Sequence, residues 1–460
     1  MSTFFFPISG YLHYWDLGLK SDGDCFINFK RASKDFPGQK VLVTNLGPNT
    51  LFLLRDPQMI KEYLHKQHFY NKVGVATFLR PLFGNGLSTA EGETWKHHRR
   101  IVSNAFNYEK IKASVGIVQG TTREFLDKLS PNEYKNYRVI TKIQEITGEI
   151  VGRIFFGEQL NNYQIEGKPL TLHLTNLMTE VMENSLTPTA LLFGPKILHL
   201  FPNYRRVMGK VKDFRKFCLQ IIEEKRTENK KSNDLLGSLL TAQDSGDPDQ
   251  ILSDEDIIDE FIILFISGMD TTGHLIAMTL YNFCISEKFQ QRLKEERDKT
   301  YNTEKVVTVD TLQKMDELHC LLKETLRVYH PAPVTFDRTA IVNHKLGNLE
   351  VKKGTWVKPD FFAVCFNEDY YEEPEKFNPD RWKNDTQNSQ KRDPYTFIPF
   401  SGGPRNCIGQ HLAIIDSKVI VSEFLEKFNF KLKEGYNLRM TFRFLYEPYD
   451  ELLFELEPRS

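Results

Sequence analysis

Between Pro57 and Pro331 apolar residues recur at helical spacing almost without interruption, which restricts the chain to a mainly helical fold. The pattern is clearest over residues 108–129, 139–156 and 204–226. Strand signals are confined to the flanks. Residues 39–56 read as a hairpin, with VLV and LFLL on either side of Asn45-Leu46-Gly47-Pro48-Asn49. Past Pro331, residues 338–342, 349–351 and 355–357 read as strands, a last helix covers 410–428, and a final hairpin is expected over 436–456. The polar stretches 226–234, 243–254 and 383–393 read as surface connections rather than linkers between domains. The expectation is a mainly α fold with a minor β portion.

Composition removes several function classes. A division at about 150 residues per domain would cut the chain into about three. The 60 Lys and Arg residues balance 61 Asp and Glu to a net −1, which leaves no basic field for a nucleic acid. Phe occurs 35 times, enough for a large aromatic core. A mean hydropathy of −0.42 argues against a polytopic membrane protein. The 6 Cys include no C-x-x-C pair, so neither a disulfide scaffold nor a structural zinc site is expected, and a reducing compartment follows. The start, MSTFFFPISGYLHYWDLG, holds a short apolar cluster broken by Pro7, whereas a bilayer span takes about 20 apolar residues. It also lacks the basic segment of a secretory signal.

The most informative segment is Phe400-Ser401-Gly402-Gly403-Pro404-Arg405-Asn406-Cys407-Ile408-Gly409, a loop that opens into the helix carrying His411. A cysteine at a helix mouth meets free N–H groups and the positive dipole end, which favour the thiolate, the form that ligates iron. Gly403 and Gly409 allow a positive φ and close approach of the backbone to a flat macrocycle. Arg405 offers a fork for a carboxylate. A lone Cys is usually an inert core residue, but here the full spacing F-x-x-G-x-R-x-C-x-G is met.

With this segment the sequence resembles the cytochrome P-450 superfamily of heme-thiolate monooxygenases. The resemblance implies that family's fold, with heme b (iron protoporphyrin IX) held between an oxygen-activating helix and the Cys loop. Cys407 is then the axial thiolate and the metal ligand, with Phe400 beside the sulfur and Gly403 and Arg405 at their fixed positions. Thiolate ligation pushes electron density onto the iron. Glu324-Thr325-Leu326-Arg327 resembles the family's E-x-x-R, and the Phe377, Pro379, Arg381 and Trp382 segment resembles the element whose Arg completes a structural triad with Glu324 and Arg327.

Ser253 starts a helix with Asp256 as capping partner, and residues 261–266 are apolar all round. Asp270 and His274 oppose reading this helix as a membrane span. Ser267-Gly268-Met269-Asp270-Thr271-Thr272 then places polar groups in mid-helix, where burial is costly unless they are paired. The stretch is similar to the family's A/G-G-x-D/E-T-T groove. That implies that Gly268 opens the helix beside the heme and that Asp270 and Thr271 relay protons to dioxygen. Ser267 departs from the usual Ala or Gly. Trp95-Lys96-His97-His98-Arg99 resembles the W-x-x-x-R helix, with Trp95 and Arg99 directed at a heme propionate. Arg338 is implied as a further propionate partner, although the run from Arg327 is one residue longer than in some relatives and leaves a neighbour in play.

The resemblance places the substrate cavity between residues 73–87, the oxygen helix, residues 331–336 and the hairpin around Tyr446. Thr335, Phe336, Phe261 and Phe265 make that space apolar and aromatic, fitting a lipid, sterol or terpenoid-like substrate. Gly84-Asn85-Gly86 lacks the third glycine of a dinucleotide loop, so electrons are expected from an NADPH-dependent flavoprotein reductase or a ferredoxin. Lys96, Arg100, Lys391 and Arg392 are the candidate docking patch. An isomerase or dehydratase of hydroperoxides or endoperoxides, working without dioxygen, is the alternative, and a heme sensor a third. Neither needs the Asp270–Thr271 relay. Motifs spread from Trp95 to Cys407 imply one catalytic domain over residues 1–460, monomeric and touching a membrane surface. By resemblance that surface is the cytoplasmic face of the endoplasmic reticulum, with residues 1–10 a flexible or hinge remnant of an anchor.

Overall fold

The hairpin expected early in the chain is β1 (Val41–Leu46) against β2 (Asn49–Leu54), antiparallel from Val41 opposite Leu54 to Leu46 opposite Asn49. These coordinates are a computed structural model that describes the chain except residues 1–29, 31–33, 47–48, 158, 186, 228–233, 247–248, 250, 301–305, 334–335, 384–391 and 460. The expectations for residues 1–10, Thr335 and Lys391, and the tip of the first hairpin, lie outside the described residues.

Asp56 caps α1 (Pro57–His65), and the chain continues through β3 (Tyr70–Lys72), α2 (Val75–Phe83) and α3 (Gly92–Ser103). The three periodic runs become α4 (Tyr108–Asp127), α5 (Val139–Val151) and α8 (Pro202–Thr227), and α6 (Leu170–Ser185) and α7 (Pro188–Phe193) lie between the last two. The longest helix, α9 (Asp254–Cys284), starts at the expected capping box of Ser253 and Asp256, and three acidic residues in its first turn complement the helix dipole. After α10 (Asp316–Val328) come β4 (Arg338–Ala340), β5 (Trp356–Pro359) and α11 (Gln410–Lys427). The chain closes with β6 (Phe428–Leu432), β7 (Met440–Phe442), β8 (Tyr446–Pro448) and β9 (Leu453–Pro458).

The main sheet runs β1-β2-β5-β4-β3, with β5 parallel to β2, so strands far apart in sequence meet beside α1. The tail corrects the expectation of one hairpin over 436–456. Only β7 and β8 form it, while β9 pairs with β6 and, on its other edge, with Tyr137 and Arg138. Alternating polarity marks a strand without naming its partner.

Two apolar clusters share α9. Ile257–Met269 packs with α6 and α8, whereas Leu275–Phe283 packs with α4, α5 and α11. The polar run from Ser267 to Thr272 therefore falls at their junction. The helix has the length and apolarity to cross a membrane, but 83% of that window is buried inside the protein.

Candidate functional site

A cavity of about 1060 Å³ opens at this junction, at the upper end of the roughly 300–1,000 Å³ usual for ligand sites. Ser267, Gly268 and Thr271 of α9 face it, as do Phe400, Arg405 and Cys407 of the loop before α11. Trp95 and Arg99 come from α3 and Arg338 from β4.

The loop is closed by the Cys407 N–H donating to Phe400 O at 2.9 Å. Arg99 fixes it from α3, donating from Nη1 and Nη2 to the carbonyl and Oδ1 of Asn406, both at 2.9 Å. Of the described cysteines, Cys407 alone lines the cavity, and its exposed surface faces that space. Burial pushes its thiol up, while the Gly409 amide and the Arg99 guanidinium pull the other way. The helix-end effect expected from the sequence is thus present and is outweighed by desolvation. Gly403 does adopt φ +69°, but a Cβ there would press on the Leu64 carbonyl of α1. Its glycine serves that packing and it does not line the cavity. Gly409 has φ −88° and needs no special conformation.

Arg405 donates from Nη1 to Ala90 O and from Nη2 to Glu91 Oε2, both at 2.7 Å, and its guanidinium lies 4.3 Å from the Trp95 ring centroid. Arg338 is buried with Nη1 3.8 Å from Glu91 Oε1, and that nitrogen makes no hydrogen bond among the described residues. Burial first, then the Arg338 charge, lowers Arg405 to about 10, with Glu91 opposing. Lys72 joins these cations on the cavity wall. Burial, followed by Arg338 and Arg405, lowers it well below the usual lysine range.

On α9 the Thr271 hydroxyl donates to Ser267 O at 2.6 Å and lines the cavity. Asp270 does not. It lies against α5, where Gln144 Nε2 donates to its Oδ1 at 3.2 Å. Burial, then the Glu447 charge, raises its carboxyl to about 8. Gly268 lines the cavity, and α9 continues as a helix past it. The glycine is required because a Cβ would lie 2.7 Å from Val151 Cγ2 of α5.

The structural triad forms as expected. Glu324 accepts from Arg327 at 2.8 and 2.9 Å, from Arg381 Nε at 3.1 Å and from Trp382 Nε1 at 2.9 Å. Both Glu324 and Arg327 are fully buried. They stand apart from the cavity wall.

A cavity-facing sulfur, with Arg338, Arg405 and Lys72 set to receive carboxylates, fits a flat iron-bearing macrocycle with two propionates. Comparison with known proteins agrees. The family model "Cytochrome P450" matches residues 12–450. The chain belongs to the cytochrome P450 family. It is 29% identical over 435 residues to "Cytochrome P450 3A29" of Sus scrofa, covering 90% of this chain and 84% of that one. It is 27% identical over 412 residues to a "Cytokinin hydroxylase" of Arabidopsis thaliana, covering 87% and 77%. The crystal structure of the cytochrome P450DA heme domain superposes with a TM-score of 0.81 at 23% identity over 99% of this chain and 96% of that one, a likeness of fold. As a cytochrome P450 the protein is a monooxygenase whose cofactor is heme ligated by a cysteine thiolate.

The rest of the cavity is apolar as expected, though built from other residues. Phe336 lines it with Phe78, Phe155 and Phe444, whereas Phe261 packs on Phe156 and Phe265 behind the wall. The hairpin around Tyr446 lines the cavity as expected, through residues 441–445, while Tyr446 itself packs on Phe362. The cationic docking patch is narrower than expected. Lys96 pairs with Glu93 and Arg100 with Asp249, while Arg392 lies over the rings of Tyr371 and Trp382. Sequence reasoning missed Lys72 and Glu91, since neither stands at a regular interval from Arg338 or Arg405.

Proposed function

We propose that residues 1–460 form one heme-thiolate catalytic domain that inserts one oxygen atom of dioxygen into an apolar lipid, sterol or terpenoid-like substrate. Bound heme supplies the oxygen chemistry. Cys407 is the thiolate ligand, carried by the observation that it is the described cysteine on the cavity wall and that Thr271 stands on the same wall. Phe400 flanks the sulfur. Arg338 and Arg405 hold the propionates, Trp95 stacks on Arg405, and Arg99 holds the loop through Asn406. Gly268 and Gly403 act one step back, by letting α9 and the loop sit where they do.

Thr271 is the hydroxyl that passes protons into the cavity, and Asp270 is the reservoir behind it. A carboxyl held near 8 carries a proton at neutral pH and can release it. Phenylalanines on the wall favour apolar substrates, and the absence of a dinucleotide loop in the sequence leaves the electrons to a flavoprotein reductase or ferredoxin. Phe193, Leu200 and Phe201 are exposed beside Lys196, Arg205 and Arg206, a surface suited to an anionic bilayer such as the cytoplasmic face of the endoplasmic reticulum. The working unit is a monomer.

The test is the spectrum of the reduced, CO-bound protein. The red-shifted Soret band of thiolate ligation is expected, and Cys407→His should replace it with a histidine-type band. A histidine-type band in the unmodified protein would remove the Cys407 assignment.

A further inference from the structure

Glu91 is the N-cap residue of α3, yet its side chain makes no cap bond to that helix. It turns instead toward the cationic wall. Oε2 accepts from Arg405 Nη2 at 2.7 Å, and Oε1 accepts from the Lys72 backbone N–H at 2.8 Å. The same Oε1 lies 3.8 Å from Arg338 Nη1. One carboxylate therefore joins the loop before α11, the strand β3 and the strand β4. The adjacent Ala90 carbonyl accepts from the other end of the Arg405 guanidinium at 2.7 Å. The basic side chains Lys72, Arg338 and Arg405 line the cavity here, Asp337 beside them is already paired with Lys358 at 2.9 Å, and Glu91 stands behind as the carboxylate that contacts both Arg405 and Arg338.

Like charges at such spacing repel unless an anion sits among them, and in a partly buried site the interaction is weakly screened. We propose that Glu91 is a positioning residue for the cofactor: it orients Arg405 and Arg338 toward the propionates and supplies the fixed negative charge that holds the heme potential low. The inference rests on the reading that heme occupies this cavity. Its consequence is electrostatic. Removing one negative charge without changing shape leaves the wall more cationic, which favours the ferrous form over the ferric form with its additional positive charge.

The experiment is a redox titration of the heme-loaded full chain in three variants. Glu91→Gln should shift the ferric–ferrous equilibrium toward ferrous by up to about tenfold, equivalent to about 59 mV upward for a one-electron couple. Glu91→Asp keeps the charge and should stay close to the unmodified protein. Glu93→Gln, an exposed neighbour 86% open to solvent, should also leave the potential unmoved. Glu91→Ala supplies a second neutral side chain should Glu91→Gln fail to retain heme. An unshifted neutral variant, or a Glu91→Asp that shifts as far as Glu91→Gln, overturns the role of Glu91. The CO-bound spectrum separates this from the underlying reading. If the unmodified protein lacks the thiolate band, the assignment of the cavity itself fails.

Discussion

Asp270 and Thr271 are neighbours in sequence that serve different surfaces of α9, because consecutive helical residues point about 100° apart. Thr271 meets the cavity and Asp270 meets Gln144 of α5. A motif fixes which residues are present but not which way an adjacent pair divides, so the direction of Asp270 was not legible. The place of Cys407 was, because it and four residues around it fill all five fixed positions of the family's F-x-x-G-x-R-x-C-x-G pattern. Burial also gives Asp270 a measurable signature. Its native carboxyl titrates near 8 against an ordinary 3.8. Between those values the native state holds a proton that the unfolded chain has released, so stability falls as pH rises, by up to about 1.4 kcal/mol per pH unit, and levels off above about 8. Asp270→Asn should remove that one-proton slope. Denaturant unfolding at pH 5 and pH 7.5 checks it, and equal slopes in the two proteins would refute it.

At the scale of elements, periodicity found the helices with little error. Residues 108–129 became Tyr108–Asp127 and residues 204–226 became Pro202–Thr227. Partner choice was the part hidden from the sequence, as the pairing of β9 with β6 shows. Helix contact was hidden too. The resemblance gave Gly268 a role beside the heme, but not that its missing side chain lets α9 lie closely on Val151 of α5. Gly268→Ala is therefore expected to destabilise the protein by about 1–3 kcal/mol through overpacking. Val151→Ala in the same chain should recover much of that loss, since the two sites touch. Thermal unfolding of the single and double variants gives the coupling. Additive losses would place the strain elsewhere. Glu324 shows the opposite case: Arg327 was readable from E-x-x-R standing ahead of the FNPDRW segment and the Cys loop, but Trp382 as an additional donor to its carboxylate was not.

Across the whole molecule, the exposed Phe193, Leu200 and Phe201 are the largest departure from a polar surface that the described residues show near α7 and α8. Changing all three to Ser should weaken sedimentation with phosphatidylserine-containing vesicles by more than about tenfold, given about 1.5–3 kcal/mol for each buried side chain. The CO-bound spectrum should stay intact. Undiminished vesicle binding would refute this patch as a membrane contact. The cavity has a consequence of a different kind, for synthesis. Arg405 grips Ala90 across 315 residues, Arg99 grips Asn406 across 307, and residues 441–445 complete the wall. A nascent chain that has emerged only as far as α10 carries Trp95 and Thr271 but has neither the sulfur nor the loop that Arg99 clasps. The pocket is thus complete only once the chain through residue 445 has been made, and until then its apolar lining lacks the loop and hairpin that cover it.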